Sequence, residues 1–466
     1  MRFLVLLLSV AVTGCTVGPD FVRPEPPVPE TFDAAEGDFV EAGEQTGSEL
    51  WRALEDPALD ALIGRALAEN RGLAQALARL DEARALRGLE TWNTWPIVTA
   101  NLGGERFRPS TADPFIPPGV PRTDVYRAGF DAAWEIDLFG RQRRTREALD
   151  AELVAATDDY AALRLSTIAE TAQAYFTFRA EEQRLEVQMR QIRNLQTSIG
   201  LLETLRDEGR GTELDVARSN ALGLEVASAV PLTREAIVRQ EQRLAVLTAL
   251  PLADVRATLN QSEGLPTLPD LVTVGQPLDW LQRRPDVSAA EARLAAATAQ
   301  VGVATADFYP RLDLFGSFGW TAMEFSDLGS SDADRYSFGP TLSWTFLDYN
   351  RVRERVRANE ARAAGALAAF DETILLALEE TESALAAWRA SNQSAALLDQ
   401  AVKRADDALE LARLSFREGA VDSLAVLDAE RTKLNLETSQ VSAAARRATA
   451  LAALYKALAG DFAAAP

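Results

Sequence analysis

The residues that most often carry out acid–base or metal chemistry are nearly absent from this sequence. Its 466 residues include no histidine and one cysteine, Cys15, so the commonest general base and a common metal ligand are missing. No nucleotide-binding glycine motif and no set of nucleophile, base and orienting group is visible. We therefore expect no enzymatic activity, no cofactor and no metal site.

Cys15 stands at the end of a segment with the features of a secretory signal peptide. Arg2 supplies a positive charge, residues 3–12 form a short apolar core, and small residues precede the cysteine. This ending resembles a bacterial lipobox, in which the cysteine is lipidated and becomes the mature N-terminus. We expect residues 1–14 to be removed and Cys15 to carry lipid. The alternative is a soluble exported protein with an incidental cysteine.

Two glycine-containing turns recur at a constant spacing. The segment Gly209-Arg210-Gly211-Thr212 is followed 210 positions later by Gly419-Ala420-Val421-Asp422. In each turn a glycine is expected to end one helix, and Thr212 or Asp422 to cap the next. We predict that Gly209, Gly211, Thr212, Gly419 and Asp422 form the tips of two helical hairpins.

Each turn is preceded by a long predicted helix, and each of these helices follows a predicted strand. Residues 126–137 and 336–346 place apolar side chains at alternate positions, as in a strand with one apolar face. They reach the roughly 9 to 11 residues that a tilted strand needs to cross a bilayer. Proline-free runs of helix formers follow, over about 141–206 and 350–416. A membrane-length strand therefore leads into a very long helix in each half.

The same order of elements occurs twice, which indicates an internal duplication. Trp344 follows Trp134 by 210 positions, and Pro310 follows Pro96 by 214. The predicted organisation is a signal peptide (1–14), a lipidated proline-rich tether (15–58), a first repeat (59–250), a crossover (251–285), a second repeat (286–459) and a C-terminal tail (460–466).

Several boundaries inside the repeats follow from prolines and periodicity. We predict one helix from Leu59 to about Thr91, a helix after the first turn that Pro231 kinks or interrupts, and an irregular crossover over 251–285. The last of four strands is predicted over 335–347. The fold class is therefore mainly α with a small β part.

Four strands make an open sheet, and its edges would leave backbone groups unpaired in hydrocarbon at a cost of several kcal/mol each. Strands from other copies must then close it. Two copies give eight strands and a filled interior, whereas three give twelve and a lumen, so the strand count alone permits either. The alternation would also suit one layer of a soluble β-sandwich.

The start of the mature chain resembles a known family. The segment Cys15-Thr16-Val17-Gly18-Pro19-Asp20-Phe21, followed by Pro24, Pro26-Pro27 and Trp51, resembles NodT-type lipoproteins of the outer-membrane efflux protein family, the TolC-like channels of tripartite pumps. The resemblance implies a homotrimer with a long α-helical barrel and a transmembrane β-barrel in the bacterial outer membrane. It also implies a periplasmic adaptor, contacting the helix-turn tips, and an inner-membrane pump as partners.

The second turn carries a further resemblance. The stretch Leu427-Asp428-Ala429-Glu430-Arg431 resembles the family's Leu-Asp-Ala-Gln-Arg segment, with Glu430 in place of the usual glutamine. In that family the leucine and aspartate that match Leu424 and Asp428 line the closed periplasmic constriction. These two residues are four positions apart, so they share one face of a helix. The alternative is that Asp428 only pairs with Arg431 on the helix surface.

The expected function is passive conduction of drugs or other small molecules from the periplasm to the exterior. A formal net charge of -21 argues against nucleic acid as a partner, and the lipid anchor makes outer-membrane lipid the expected surroundings. The alternatives are the outer-membrane duct of a type I protein secretion system and a non-conducting lipoprotein scaffold. The lipobox favours small-molecule efflux, because secretion-linked members of the family commonly lack it.

Overall fold

The computed structural model describes residues 16–25, 28–29, 31–33, 39–42, 51–108, 110, 114–115, 121–269, 271–274 and 276–458. The predicted signal peptide, Cys15 and the predicted tail 460–466 lie outside the described residues. Long helices dominate the described chain, and a four-stranded sheet contains its long strands. None of the helices in the described ranges is both long and apolar enough to cross a membrane.

The first half of the chain contains a hairpin of strands and a hairpin of helices. Its elements are β1 (Val40–Ala42), α1 (Pro57–Glu69), α2 (Arg71–Asn93), β2 (Ile97–Phe107), β3 (Thr123–Ile136), α3 (Arg141–Asp207) and α4 (Glu213–Thr248). The long helix α3 has 67 residues, in agreement with the predicted run over 141–206.

The second half repeats this order after a short crossover. Its elements are α5 (Leu252–Leu259), β4 (Val272–Val274), α6 (Pro277–Arg283), α7 (Pro285–Ala306), β5 (Arg311–Ala322), β6 (Asp334–Ser343), α8 (Tyr349–Arg417) and α9 (Ser423–Ala457). The crossover was predicted to be irregular over 251–285, but it contains α5, β4 and α6.

Three local predictions differ from the structure. The helix predicted from Leu59 to Thr91 is broken at Asn70, which leaves the helical conformation and accepts hydrogen bonds from the amides of Gly72 and Leu73 at 2.8 and 3.1 Å. Its side chain thereby caps α2. Pro231 does not interrupt α4, which is a continuous helix across that position.

The third difference is the end of β6. The strand predicted over 335–347 stops at Ser343, and a short 3₁₀ turn follows over Phe346–Asp348. The indole Nε1 of Trp344 donates a hydrogen bond to the carbonyl of Phe308 at 2.9 Å. The last paired residue, Ser343, lies opposite Arg311, the first residue of β5, so β6 ends where its partner strand begins.

The four long strands form one antiparallel sheet in the order β2-β3-β5-β6. Its register pairs even-numbered residues with even-numbered ones throughout; for example, Phe130 lies opposite both Ala100 and Phe318, and Phe318 lies opposite Tyr336. Because side chains alternate along a strand, most of the large apolar residues of the four strands share one face, with Ile97, Phe107 and Phe315 as exceptions on the other. The alternation predicted for single strands is therefore a property of the whole sheet.

The duplication is visible in the hydrogen bonds of the structure. Trp134 donates from Nε1 to the carbonyl of Thr94 at 2.9 Å, and Trp344 donates in the same way to Phe308. The two tryptophans are 210 positions apart and the two acceptors 214. Both spacings found in the sequence therefore relate structurally equivalent residues.

The chain divides into two compact units, each built from parts of both halves. The first unit takes the described residues up to Glu25, Arg79–Thr157 and Ala289–Asp371, and it includes the four-stranded sheet. The second takes the described residues from 28 to Ala78, Asp158–Ser288 and those from Glu372 to Leu458, and it includes both helix turns.

In the first unit, the chain just after Cys15 is held by Arg144, which is buried. Its guanidinium donates to the carbonyls of Val17 and Gly18 at 3.1 and 3.3 Å and to Asp20 at 2.6 Å. Gly18 adopts a φ of +89° and approaches the backbone of Gly302, where any side chain would collide. The beginning of the tether is thereby fixed against helices α3 and α7.

In the second unit, the tether is held again. Strand β1 pairs in parallel with β4 of the crossover. Trp388 donates from Nε1 to the carbonyl of Phe39 at 3.1 Å, and Phe32 packs edge-on against Trp280 with the ring centroids 5.4 Å apart. Because β1 and β4 are far apart in sequence, this small sheet was not predicted.

We predict that Gly129→Ala in β3 destabilises the sheet. A Cβ at this position would lie 2.6 Å from the carbonyl oxygen of Phe318 and 2.9 Å from Cα of Gly319, so the strands must separate locally, at about 1–3 kcal/mol. Thermal unfolding of the purified protein in detergent should show a lower midpoint. Gly316→Ala is the control, because the added carbon would have its nearest contact at 4.0 Å; equal midpoints for the two variants would contradict the prediction.

Candidate functional site

The first helix turn closes by backbone hydrogen bonds that require a glycine. Gly209 has a φ of +74°, a left-handed conformation that side chains disfavour. The amides of Arg210 and Gly211 then both donate to the carbonyl of Leu205, at 2.8 and 2.9 Å. This arrangement satisfies the end of α3, as expected for a glycine-terminated helix.

The next helix begins with a reciprocal cap. The amide of Asp215 donates to Oγ1 of Thr212, and the amide of Thr212 donates to Asp215, each at 3.2 Å. Thr212 therefore caps α4 as predicted, and Asp215 completes a capping box. The sequence pattern Thr-x-x-Asp is the signal for this second role.

The second turn has the same construction. Gly419 also has a φ of +74°, and the amide of Ala420 donates to the carbonyl of Ser415 at 2.8 Å. Asp422 caps α9 by accepting from the amide of Ala425 at 3.2 Å. The caps predicted for both turns are thus present in the structure.

A hydrogen bond joins the two turns. The hydroxyl of Ser423, at the start of α9, donates to the carboxylate of Asp215, at the start of α4. This bond and the one from Thr212 hold the pKa of Asp215 below its usual range, because they stabilise the charged form. The stabilisation is therefore fully present at neutral pH and is lost only as the pH falls through the lowered pKa of the carboxyl.

Farther along α9, a buried carboxylate ties this helix to both long helices. Glu430 accepts a hydrogen bond from Oγ of Ser198 on α3 at 3.0 Å and forms an ion pair with Arg413 on α8 at 2.7 Å. Glu430 is only 6% exposed, so its charge must be stabilised by these partners instead of by water. The charge of Glu430, which stands where the resemblance gives a glutamine, is thus paired with Arg413.

The two predicted constriction residues point away from this buried contact. Leu424 is 47% exposed, and Asp428, one turn later, is also exposed. Within the described part of the chain, Asp428 has no ion-pair partner, and the alternative pairing with Arg431 is not formed. The face of α9 that carries Leu424 and Asp428 is thus free in the single chain.

The opposite face of α9 borders a groove of about 1110 Å³ in the second unit. Most of its exposed lining surface is apolar, although polar and charged side chains also border it, among them Ser198, Glu410, Arg413 and Glu430. The main apolar side chains are Leu201, Leu202, Leu411, Leu414, Val426 and Leu427. The groove lies beside the turns, because these residues come from the ends of α3 and α8 and the start of α9.

Two contacts near the turns were not predicted from the sequence. The bond between Asp215 and Ser423 joins residues 208 positions apart, and the contact of Ser198 with Glu430 spans 232 positions. Periodicity and capping rules describe neighbours along the chain, so neither contact has a local signal.

Comparison with known proteins identifies the family. The profile of the outer membrane efflux protein family matches residues 62–250 and 277–460. The outer membrane protein OprJ of Pseudomonas aeruginosa is 30% identical over 98% of this chain and 95% of its own length. Nodulation protein T of Rhizobium leguminosarum bv. viciae is also 30% identical, over 99% of this chain and 94% of its own length.

The fold has a close counterpart among solved structures. The outer-membrane channel OprN superposes with a TM-score of 0.90 and 37% sequence identity, covering 96% of this chain and 99% of its own. The chain belongs to the outer membrane efflux protein family, and it is the outer-membrane channel component of an efflux system.

Proposed function

We propose that this chain forms the passive duct of a tripartite efflux system, which carries small molecules from the periplasm to the exterior. The observation that carries the proposal is the connection of a membrane-length sheet to two helix turns by α3 and α8. The two repeats, 59–250 and 286–459, each supply one strand hairpin and one helix hairpin. Transport through such a duct needs no catalytic residue, because the pump supplies the energy.

The duct is proposed to be a homotrimer. Strand β2 pairs only with β3, and β6 only with β5, within the described chain, so both edges of the sheet need further strands in a membrane. Three copies give twelve strands and a water-filled interior, whereas two give eight and a filled one. A channel that passes drug-sized molecules requires the larger ring.

The mature chain is proposed to begin with lipidated Cys15. The residues that follow it are fixed in the first unit by Arg144, which binds the carbonyl groups of Val17 and Gly18. A lipid on Cys15 would therefore be attached beside the start of α3, close in sequence to the end of β3. The anchor would then enter the same outer-membrane leaflet that the strands reach.

The periplasmic gate is proposed to consist of Leu424 and Asp428. In a trimer, three copies of Leu424 would form an apolar plug, and three copies of Asp428 a charged collar one turn along the helix. Like charges at close range repel each other, so closure depends on other contacts. The bond between Ser423 and Asp215 and the ion pair of Glu430 with Arg413 supply such contacts.

Opening is proposed to require a periplasmic adaptor that binds the turns better in the open state. The tip residues Gly209, Gly211, Thr212, Gly419 and Asp422 are the proposed contact. The apolar groove beside them offers a surface for side chains of an adaptor helix. An adaptor that enters this groove lies next to Glu430, so its binding would act directly on the contacts that hold α9.

Native mass spectrometry tests the trimer. The purified protein in detergent should give a mass of three chains, because only neighbouring copies can pair β2 and β6. A protein that conducts ions as a stable monomer would contradict the closure argument.

Mass spectrometry of the mature N-terminus tests the lipid anchor. We expect the first peptide to begin at Cys15 and to carry acyl chains, and Cys15→Ala to abolish that mass increase. An unmodified terminus at Cys15 or Thr16 in the wild-type protein would refute the anchor.

The double substitution Leu424→Ala and Asp428→Ala tests the gate. It should raise single-channel conductance in planar bilayers and admit bulky antibiotics without the pump, because both the plug and the collar are removed. The control is Leu214→Ala with Arg218→Ala, the pair 210 positions earlier with the same spacing of four. Unchanged conductance in the Leu424/Asp428 variant, or an equal increase in the control, would place the constriction elsewhere.

A further inference from the structure

We propose that the outer end of the β2–β3 hairpin binds phosphate groups of lipids in the outer leaflet of the membrane. The site consists of Arg106, Arg108 and Arg122, and its ligand is a phosphorylated lipid headgroup. The inference uses the outer-membrane location of this family. It goes beyond the proposed duct, because lipid binding on the outside of the sheet does not require conduction.

The arginines lie at the end of the hairpin that is remote from the helices. Strand β2 follows α2 and begins at Ile97, and β3 ends at Ile136, shortly before α3. At the other end of the hairpin the last paired residues are Phe107 and Thr123. In this family the long helices extend into the periplasm. The end of the hairpin at Phe107 therefore lies at the exterior surface of the membrane.

The site begins directly beyond the apolar part of the sheet. In the strand register, Arg106 is on the same face as Tyr126 and Phe130. The apolar face of a membrane-spanning sheet contacts lipid, and aromatic residues mark its boundary with the headgroups. Tyr126 lies opposite Gly104, and the next pair outward on this face is Arg106 with Asp124. Arg106 is therefore at the level of the headgroups.

Arg106 is held in place by a bidentate ion pair. Its Nε and Nη2 donate to the two carboxylate oxygens of Asp124, each at 2.6 Å. Such a pair fixes the plane of the guanidinium group and leaves Nη1 outside the pair. The charge of Asp124 is thereby matched by Arg106, so this carboxylate does not balance a second arginine.

The two other arginines face each other across the hairpin. They are the residues directly outward of the pair Phe107 and Thr123, so the register places Arg108 opposite Arg122. Both are exposed, and neither has an ion-pair partner among the described residues. Like charges directly opposite each other on two strands are destabilising. A phosphate group between them would offset this repulsion, because guanidinium groups bind phosphate through paired hydrogen bonds.

The ends of the two strand hairpins differ in the sign of their charge. Residues 106–124 contain three arginines and two acidic residues, Asp113 and Asp124. Residues 323–334, at the end of the β5–β6 hairpin, contain no basic residue and four acidic ones. These are Glu324, Asp327, Asp332 and Asp334. An anionic headgroup is therefore attracted to the first hairpin and repelled by the second.

A lipid fits this position better than a free anion does. Inorganic phosphate matches the guanidinium groups but has no part that contacts the apolar face. A phosphorylated lipid joins its headgroup to acyl chains, which cover the face that carries Tyr126 and Phe130. Charge attraction and burial of apolar surface then act on one molecule, as they do when basic segments bind anionic lipids.

Native mass spectrometry with lipid A that carries two phosphates tests the site. The purified wild-type protein should retain lipid A as a mass adduct, and Arg108→Gln with Arg122→Gln should weaken its binding by roughly tenfold or more, because two basic residues near the headgroup are lost. Arg106 is left unchanged, since its removal would expose the charge of Asp124. Arg108→Lys with Arg122→Lys keeps both charges and should bind lipid A more tightly than the glutamine variant.

The matched control removes two arginines from the other face of the same sheet. Arg127 pairs with Glu105 at 3.3 Å, and Arg335 lies opposite Gly319 on the polar face. Arg127→Gln with Arg335→Gln therefore lowers the net charge by the same amount as the first variant. Because this face is turned away from lipid, the control should bind lipid A as the wild type does.

The outcomes distinguish lipid binding from other roles of the arginines. Equal affinity of the wild type and the glutamine variant, or an equal loss in the control, would overturn the proposal. Displacement of lipid A by an excess of inorganic phosphate would assign the site to free anions instead. A glutamine variant that loses its neighbouring copies but still binds lipid A would assign Arg108 and Arg122 to contacts between copies. Loss of lipid A in the glutamine variant alone would support the site, and single-channel conductance of the same sample tests the duct separately.

Discussion

Strands β2 and β6 are the two edges of the sheet, and the backbone groups along their outer sides have no partner within the described chain. The stability of the rest of the structure in a membrane depends on pairing these groups. In water such edges invite aggregation, and in hydrocarbon each unpaired group costs several kcal/mol. A four-stranded sheet cannot bend far enough to join its own edges, since even eight strands only just enclose their side chains. The outer-membrane location of this family therefore requires assembly before the sheet can be stable in the bilayer.

The duplication explains how one chain can meet this requirement with few distinct contacts. Trp134 and Trp344 make the same hydrogen bond to equivalent carbonyls, so the local geometry of both halves is conserved in the structure. The exposed fractions differ instead: Ala148 is buried, and Ala358 is exposed. A surface that already packs well inside the chain needs little change to pack between chains.

Much of this fold could be predicted from the sequence because local patterns of residue types indicate its strands, helices and turns. Alternation located the strands, proline-free runs located α3 and α8, and glycines located the turns. The errors arose where a single side chain decides the backbone. Asn70 breaks a helix by capping the next one, whereas Pro231 is accommodated within α4. Neither outcome is determined by residue type alone.

The candidate site was predictable only in part, for a different reason. Leu424 and Asp428 have a spacing that places them on one face of α9, and the exposure of both agrees with it. The bond of Ser423 to Asp215 and the contacts of Glu430 with Ser198 and Arg413 join distant segments. No pattern within one helix reports such contacts, so the restraints on the proposed gate became visible only in three dimensions.

These restraints differ in strength, which constrains how the gate can move. The link from Ser423 to Asp215 is half-buried, and such a hydrogen bond contributes about 1 kcal/mol, or somewhat more to a charged group. Glu430 is buried whereas Arg413 is half exposed, and loss of this partner would leave a buried carboxylate with fewer groups to stabilise its charge. A movement that separates the two turns is therefore cheaper than one that pulls α9 away from α8. We expect α9 to remain attached to α8 through Arg413, so that the second helix hairpin moves as a body and carries Leu424 and Asp428 with it.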